Sequence, residues 1–193
     1  MLKYIIIESK SRIEQYEPMI VSLFSEFIDI KDIDVNDHQI WIYFNHTIDL
    51  SLKDIIINLS QDTLVDFRLY ESHQYMSKED LKEQSLFIKE KIAQINFNAY
   101  NYLNDRIIML HFVKMFDHSF KDYVFKKFSF DQMMIETIKT FLEHGQNVGL
   151  AAKALYVHRN TLTQRLDKFF QSTGFDVRKF MDGFIIYHLL LTK

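Results

Sequence analysis

The chain has 193 residues, 48% of them hydrophobic, a net charge of −3, no cysteine, four glycines and one proline. This composition predicts a packed chain of one large or two small domains and excludes disulfides, thiolate metal sites and cysteine nucleophiles. No apolar run approaches the length of about 18 residues that a spanning helix needs, and the N-terminal run is too short for a signal peptide, so a cytoplasmic protein with no membrane partner is expected.

Lys3 to Ile7 reads as a short buried strand of branched residues. Residues 10–28 read as an amphipathic helix, with Ile13, Tyr16, Ile20, Leu23, Phe24 and Phe27 on one side. Pro18 means that this helix either starts near Glu17 or is kinked. Asp29 to Asp37 reads as a polar turn, Gln39 to Phe44 as a second strand, and Leu50 to Leu59 as a short helix. Thr63 to Tyr70 alternates as a half-exposed strand does. Strands separated by helices predict a small α/β domain over about 1–75.

From Ser77, a helix N-cap candidate, the pattern turns helical. Leu81, Ile88, Ile95, Tyr102, Met109 and Phe116 recur every seven residues, while Asn96, Asn98, Asn101 and Asn104 predict a break near 96–104. Residues 76–130 are therefore a helical linker. It is either a dimerising arm or a set of helices packed on the α/β domain. Phe128-Ser129-Phe130-Asp131 is the expected junction to a last domain over 131–193. There Asp131 or Ser129 caps a helix running to about Glu143, and Gly145 ends it.

Two short helices and a tight turn are then predicted over Ala151–Leu166. Ala151, Ala152 and Ala154 let a second helix approach, and Leu155 and Val157 plug the corner. Asn147 caps the first helix. His158 or Arg159 begins the second, whose Leu162, Leu166 and Phe169 form an apolar face and which Gly174 closes. Asp176 is expected to cap a final helix from Val177 to about Leu191. The remaining faces of the second helix are polar and partly basic, which suits the major groove of DNA. Charge is distributed accordingly: residues 131–193 hold eight Lys+Arg against six Asp+Glu, and residues 1–130 hold fifteen against twenty.

The run Leu155-Tyr156-Val157-His158-Arg159-Asn160-Thr161-Leu162, followed by Arg165-Leu166, resembles the C-terminal helix-turn-helix of the PucR/CdaR family of bacterial transcription regulators. The likeness extends upstream to Met134 and downstream to Asp182, about the last 60 residues. It implies a DNA-reading second helix and, over 1–75, a domain similar to a degenerate nucleotide-cyclase (GGDEF-like) fold, whose placement rests on the order of elements alone. The chain departs from the family pattern at Thr163-Gln164, where a basic residue and Tyr are usual, and at Gly149-Leu150, where a polar turn is usual.

The expected DNA-binding residues are Asn147, Lys153, His158, Arg159, Asn160, Thr161, Thr163, Gln164, Arg165 and Lys168. Arg159 suits guanine, and Asn160 and Gln164 suit adenine, through paired hydrogen bonds. Thr161 and Lys168 suit phosphates. Arg165 lies beside the apolar face, where it either reaches a phosphate or is structural. His111 and His118 form no metal-binding pattern. Asp32-Ile33-Asp34-Val35-Asn36-Asp37 lacks the glycine and glutamate of a calcium loop and reads as a turn, and Asn45-His46-Thr47 is a chance sequon. No catalytic constellation, cofactor or metal is expected. The 18 Phe and 10 Tyr serve either core packing or a pocket for a small-molecule effector.

The fold class is thus α+β: a small N-terminal α/β domain, a helical linker and a C-terminal all-α helix-turn-helix domain. The expected function is sequence-specific DNA-binding transcription regulation by a homodimer on double-stranded DNA. The alternative is a protein-interaction or scaffolding module whose helix-turn-helix no longer binds DNA.

Overall fold

The computed structural model describes residues 2–47, 51–128 and 131–192. It is α+β and divides into two compact units, residues 1–108 and 109–193.

The first unit is built on β1 (Lys3–Ser9), α1 (Glu17–Ser25), β2 (Ile28–Val35), β3 (Gln39–Thr47), α2 (Leu52–Thr63) and β4 (Phe67–Glu71). This is a split βαβ order. α3 (Lys78–Gln94) then crosses to β5 (Tyr102–Asn104), and the sheet runs β2-β3-β1-β4-β5. All pairings are antiparallel except β4 with β5.

Central β1 is buried on both faces, as its run of branched residues predicts. On one face Ile5 and Ile7 join Ile40, Ile42, Phe44, Phe67 and Leu69 beneath Ile20 and Phe24 of α1 and Leu52, Ile56 and Leu59 of α2. The other face carries Tyr4, Trp41 and Tyr70, with the Tyr4 ring 5.4 Å from Trp41 and 5.6 Å from Tyr70. Burial pushes the Tyr4 phenol well above its ordinary pKa. Arg68 pairs with Glu8 at 2.6 Å and donates to the carbonyls of Ile92 (3.3 Å) and Ile95 (3.0 Å), so the same buried guanidinium also caps α3.

Several elements differ from their sequence reading. α1 begins at Glu17 with Pro18 in its first turn, after a turn of 3₁₀ helix at Glu14–Tyr16, so the proline needs no kink. The stretch expected as a polar turn is β2. Its inward residues Ile28, Ile30 and Ile33 fall out of strict alternation because the register shifts on either side of Ile30. The turn itself is only Asn36-Asp37-His38, where the Asn36 carboxamide oxygen accepts from His38 N and Gln39 N. β4 is shorter than expected and buried, not half-exposed: α2 runs to Thr63, and left-handed Leu64 (φ 55°) ends it.

Ser77 does cap α3, accepting from Asp80 N at 3.1 Å. The expected break at 96–104 contains β5, a strand hidden among the asparagines of a stretch read as helical. Leu81, Ile88 and Ile92 of α3 are buried inside the unit, as the packed-helix alternative requires. Leu50, Ser129, Phe130 and the side chains of His46 and Thr47 lie outside the described residues.

The second unit is helical: the end of α4 (Asp105–Phe112), then α5 (His118–Phe125), α6 (Gln132–Glu143), α7 (Val148–Ala154), α8 (Arg159–Thr173) and α9 (Phe180–Leu191). Among the described residues, no helix is long and apolar enough to cross a membrane.

Candidate nucleic-acid interface

Asp131 opens α6 by accepting from Met134 N at 2.9 Å. Met134, Thr137, Ile138 and Phe141 face inward. The helix stops in a Schellman motif, with Gln146 N donating to Phe141 O and Gly145 N to Leu142 O. Gly145 (φ 63°) and Gln146 (φ 60°) are both left-handed, which swings the chain sharply into α7. The Gln146 carboxamide spans this corner and donates to Val177 O at 2.6 Å. Asn147 then caps α7, accepting from Leu150 N at 3.0 Å.

α7 packs through Ala151 and Ala152, which are buried. Ala154, expected in the same contact, is exposed at the last position of the helix. A second Schellman motif makes the turn: Val157 N donates to Ala152 O, and Tyr156 N donates to Lys153 O with Tyr156 at φ 54°. Leu155 and Val157 are half-buried at the corner. His158 is the cap of α8, its Nδ1 accepting from Asn160 N at 3.2 Å, so Arg159 is the first helical residue. Leu162, Leu166, Phe169 and Thr173 form the buried face of α8, and Gly174 (φ 76°) closes the helix.

The outward side of α8 is polar. Asn160, Thr161, Gln164 and Lys168 are exposed and share one face by helical spacing, with His158 and Arg159 exposed at its start. Asn147 and Lys153 are exposed on α7. Two expected residues are otherwise engaged. Half-buried Arg165 donates from Nη1 to Thr137 Oγ1 at 3.0 Å, which ties α8 to α6, and the Thr137 hydroxyl in turn donates to Met133 O. Half-buried Thr163 donates to Arg159 O at 3.1 Å.

Asp167, the acidic residue of α8, pairs with Arg178 at 2.7 Å. Arg178 also holds Asp176 at 2.7 Å. Burial alone would raise the Asp176 pKa, but two hydrogen bonds from Arg178 and the charges of Arg178 and Lys179 outweigh it and hold the carboxyl below its ordinary range. Of its two partners, Asp176 is two residues away in the same turn, but Asp167 lies eleven residues back on α8 and is brought to Arg178 only by the fold.

Asp176 does not cap a helix from Val177. It makes a turn, accepting from Arg178 N, and α9 begins at Phe180 because fully buried Asp182 reaches back to accept from Asp176 N at 2.9 Å. Gly183 allows α9 to seat: a Cβ there would lie 2.8 Å from Gln146 Nε2, 3.0 Å from Leu142 Cδ2 and 3.2 Å from Val177 O. Tyr156, which nothing in the local pattern marks as a surface feature, is 97% exposed between the two helices. His111 and His118 lie on α4 and α5, and no group of three or more metal-ligating side chains occurs among the described residues.

Residues 134–191 match the PucR C-terminal helix-turn-helix domain. An uncharacterized protein of Bacillus subtilis (strain 168), YxkF, is 26% identical over 126 residues, covering 64% of this chain; the chain spans 42% of that relative's length. The crystal structure of a regulator of polyketide synthase expression from Bifidobacterium adolescentis aligns over 98% of this chain and 78% of that one, with 14% identity and a TM-score of 0.43. With its capped α7, tight turn and polar-faced α8, the C-terminal third of the chain is a PucR-type helix-turn-helix domain.

Proposed function

We propose that the chain is a transcription regulator that binds double-stranded DNA through α8 as a homodimer, without enzymatic activity. The observation that supports this most is the PucR-type domain itself, whose α8 buries one face and leaves Asn160, Thr161, Gln164 and Lys168 free on another. In this reading α8 enters the major groove, Arg159, Asn160 and Gln164 meet base edges, and Asn147, Lys153, Thr161 and Lys168 meet phosphates. His158 takes part through its capping role. Arg165 acts by holding α8 against α6, and the Thr163 hydroxyl is spent within α8 on Arg159 O. Residues 131–193 form the DNA-binding domain in this division of the chain, with 1–75 and 76–130 serving dimerisation and response to an effector.

Pairing is expected because helix-turn-helix modules usually read two half-sites a DNA turn apart. Fluorescence anisotropy on genomic fragments tests the reading: salt-dependent binding that an Arg159→Ala, Gln164→Ala double variant loses supports it, and a wild-type chain inert to every fragment refutes it.

The second reading, a protein-interaction module, is favoured by a different observation. Phe180, Phe184 and Leu191 are exposed along α9. Co-purification of a protein partner without nucleic acid distinguishes it.

A further inference from the structure

Tyr156 stands at the left-handed position that ends α7, with φ 54°. Glycine is the ordinary residue there, because an L side chain crowds the following carbonyl. The turn is made by main-chain bonds from Tyr156 N to Lys153 O and from Val157 N to Ala152 O, so the side chain contributes nothing to it. The core does not use the ring either, since Tyr156 is 97% exposed. Gln146, also left-handed, puts its side chain to structural use on Val177 O. Leu64 is left-handed and exposed as well, but it carries no polar group and ends a helix of the first unit. Tyr156 carries a hydroxyl and sits two residues before His158, the exposed cap that opens α8.

We infer that Tyr156 is a DNA-contact residue whose hydroxyl donates to a phosphate oxygen beside the groove that α8 enters. The inference rests on the DNA-binding reading above. A tyrosine is among the side chains that fix register on the phosphate backbone, and such a contact positions the protein without reading sequence. The strained backbone and full exposure of Tyr156 then serve the complex and not the fold.

The test uses the full chain and two labelled duplexes of equal length, one selected by the wild-type protein from a randomised pool and one unrelated. Tyr156→Phe should weaken binding to both by about the same factor, roughly tenfold, as expected for a hydrogen bond to a charged acceptor. The slope of log affinity against log salt should not change, because a neutral phenol releases no counterion. Tyr156→Gly should lose at least as much affinity while unfolding at or above the wild-type temperature. Tyr156→Phe binding at wild-type affinity overturns the inference and leaves the DNA-binding reading intact. A change in sequence preference overturns the phosphate assignment, and a wild-type chain that selects no duplex overturns both.

Discussion

Arg165 ties α8 to α6. Its guanidinium satisfies the Thr137 hydroxyl oxygen, so removing it leaves a buried acceptor unpaired. Arg165→Met should lower stability by about 1–2 kcal/mol and leave the salt slope of DNA binding unchanged, whereas Lys168→Ala should leave stability intact and reduce that slope by about one. Denaturant unfolding and a salt titration separate the two. At Gly183, alanine gains about 1 kcal/mol of helix propensity. It also forces the Gln146 carboxamide off Val177 O and presses on that backbone oxygen. A net loss of about 1–2 kcal/mol is expected from overpacking, read as a lower unfolding midpoint.

Asp176 adds a pH dependence. Its pKa is depressed from 3.8 in the folded chain. Its contribution is therefore complete above the unfolded value and is lost as pH falls through the folded one. Asp176→Asn should flatten the acid limb of the stability curve measured by circular dichroism.

Among the elements, α3 and β4 are joined by the Arg68 guanidinium, which serves Glu8 and the last carbonyls of α3 together. Arg68→Ala should destabilise by about 3 kcal/mol, since it takes away the countercharge of buried Glu8, which keeps only the Gln39 carboxamide, and uncaps the end of α3. An Arg68→Met, Glu8→Leu double variant should recover much of that loss. Double-mutant unfolding measurements give both values. None of this was legible from the chain alone, because Arg68 lies 60 residues from Glu8 and reads as the polar position of an alternating strand. β2 and β5 were missed for local reasons: a bulge resets the phase of β2, and β5 is three residues long with asparagine at its end. By contrast, the caps at Ser77, Asp131 and Asn147 were legible, because each needs only its own side chain and the next turn of backbone.

At the scale of the molecule, the net charge of −3 conceals a basic excess in the C-terminal part. One copy of α8 carries few cations, and Arg178 neutralises its Asp167 without adding reach. In the proposed reading, phosphate attraction per copy is therefore small, and pairing two copies on adjacent half-sites is what would give tight binding. Sedimentation equilibrium should show a dimer in solution, and anisotropy titrations should give affinity that falls steeply when the half-sites are moved half a helical turn.

The sequence by itself determined the helix-turn-helix. Its signals are periodic apolar positions, capping residues and a glycine stop, all acting within a few residues of one another. Only the tertiary structure decided which polar residues of that element remain free. Along the chain Arg165 reads either as a phosphate contact or as structural and Asp167 reads as a free acid beside Lys168, yet Arg165 is taken by Thr137 and Asp167 by Arg178. The tertiary structure also decided that the sheet has five strands, because an edge strand of irregular phase is specified by its neighbour's hydrogen bonds and not by its own pattern.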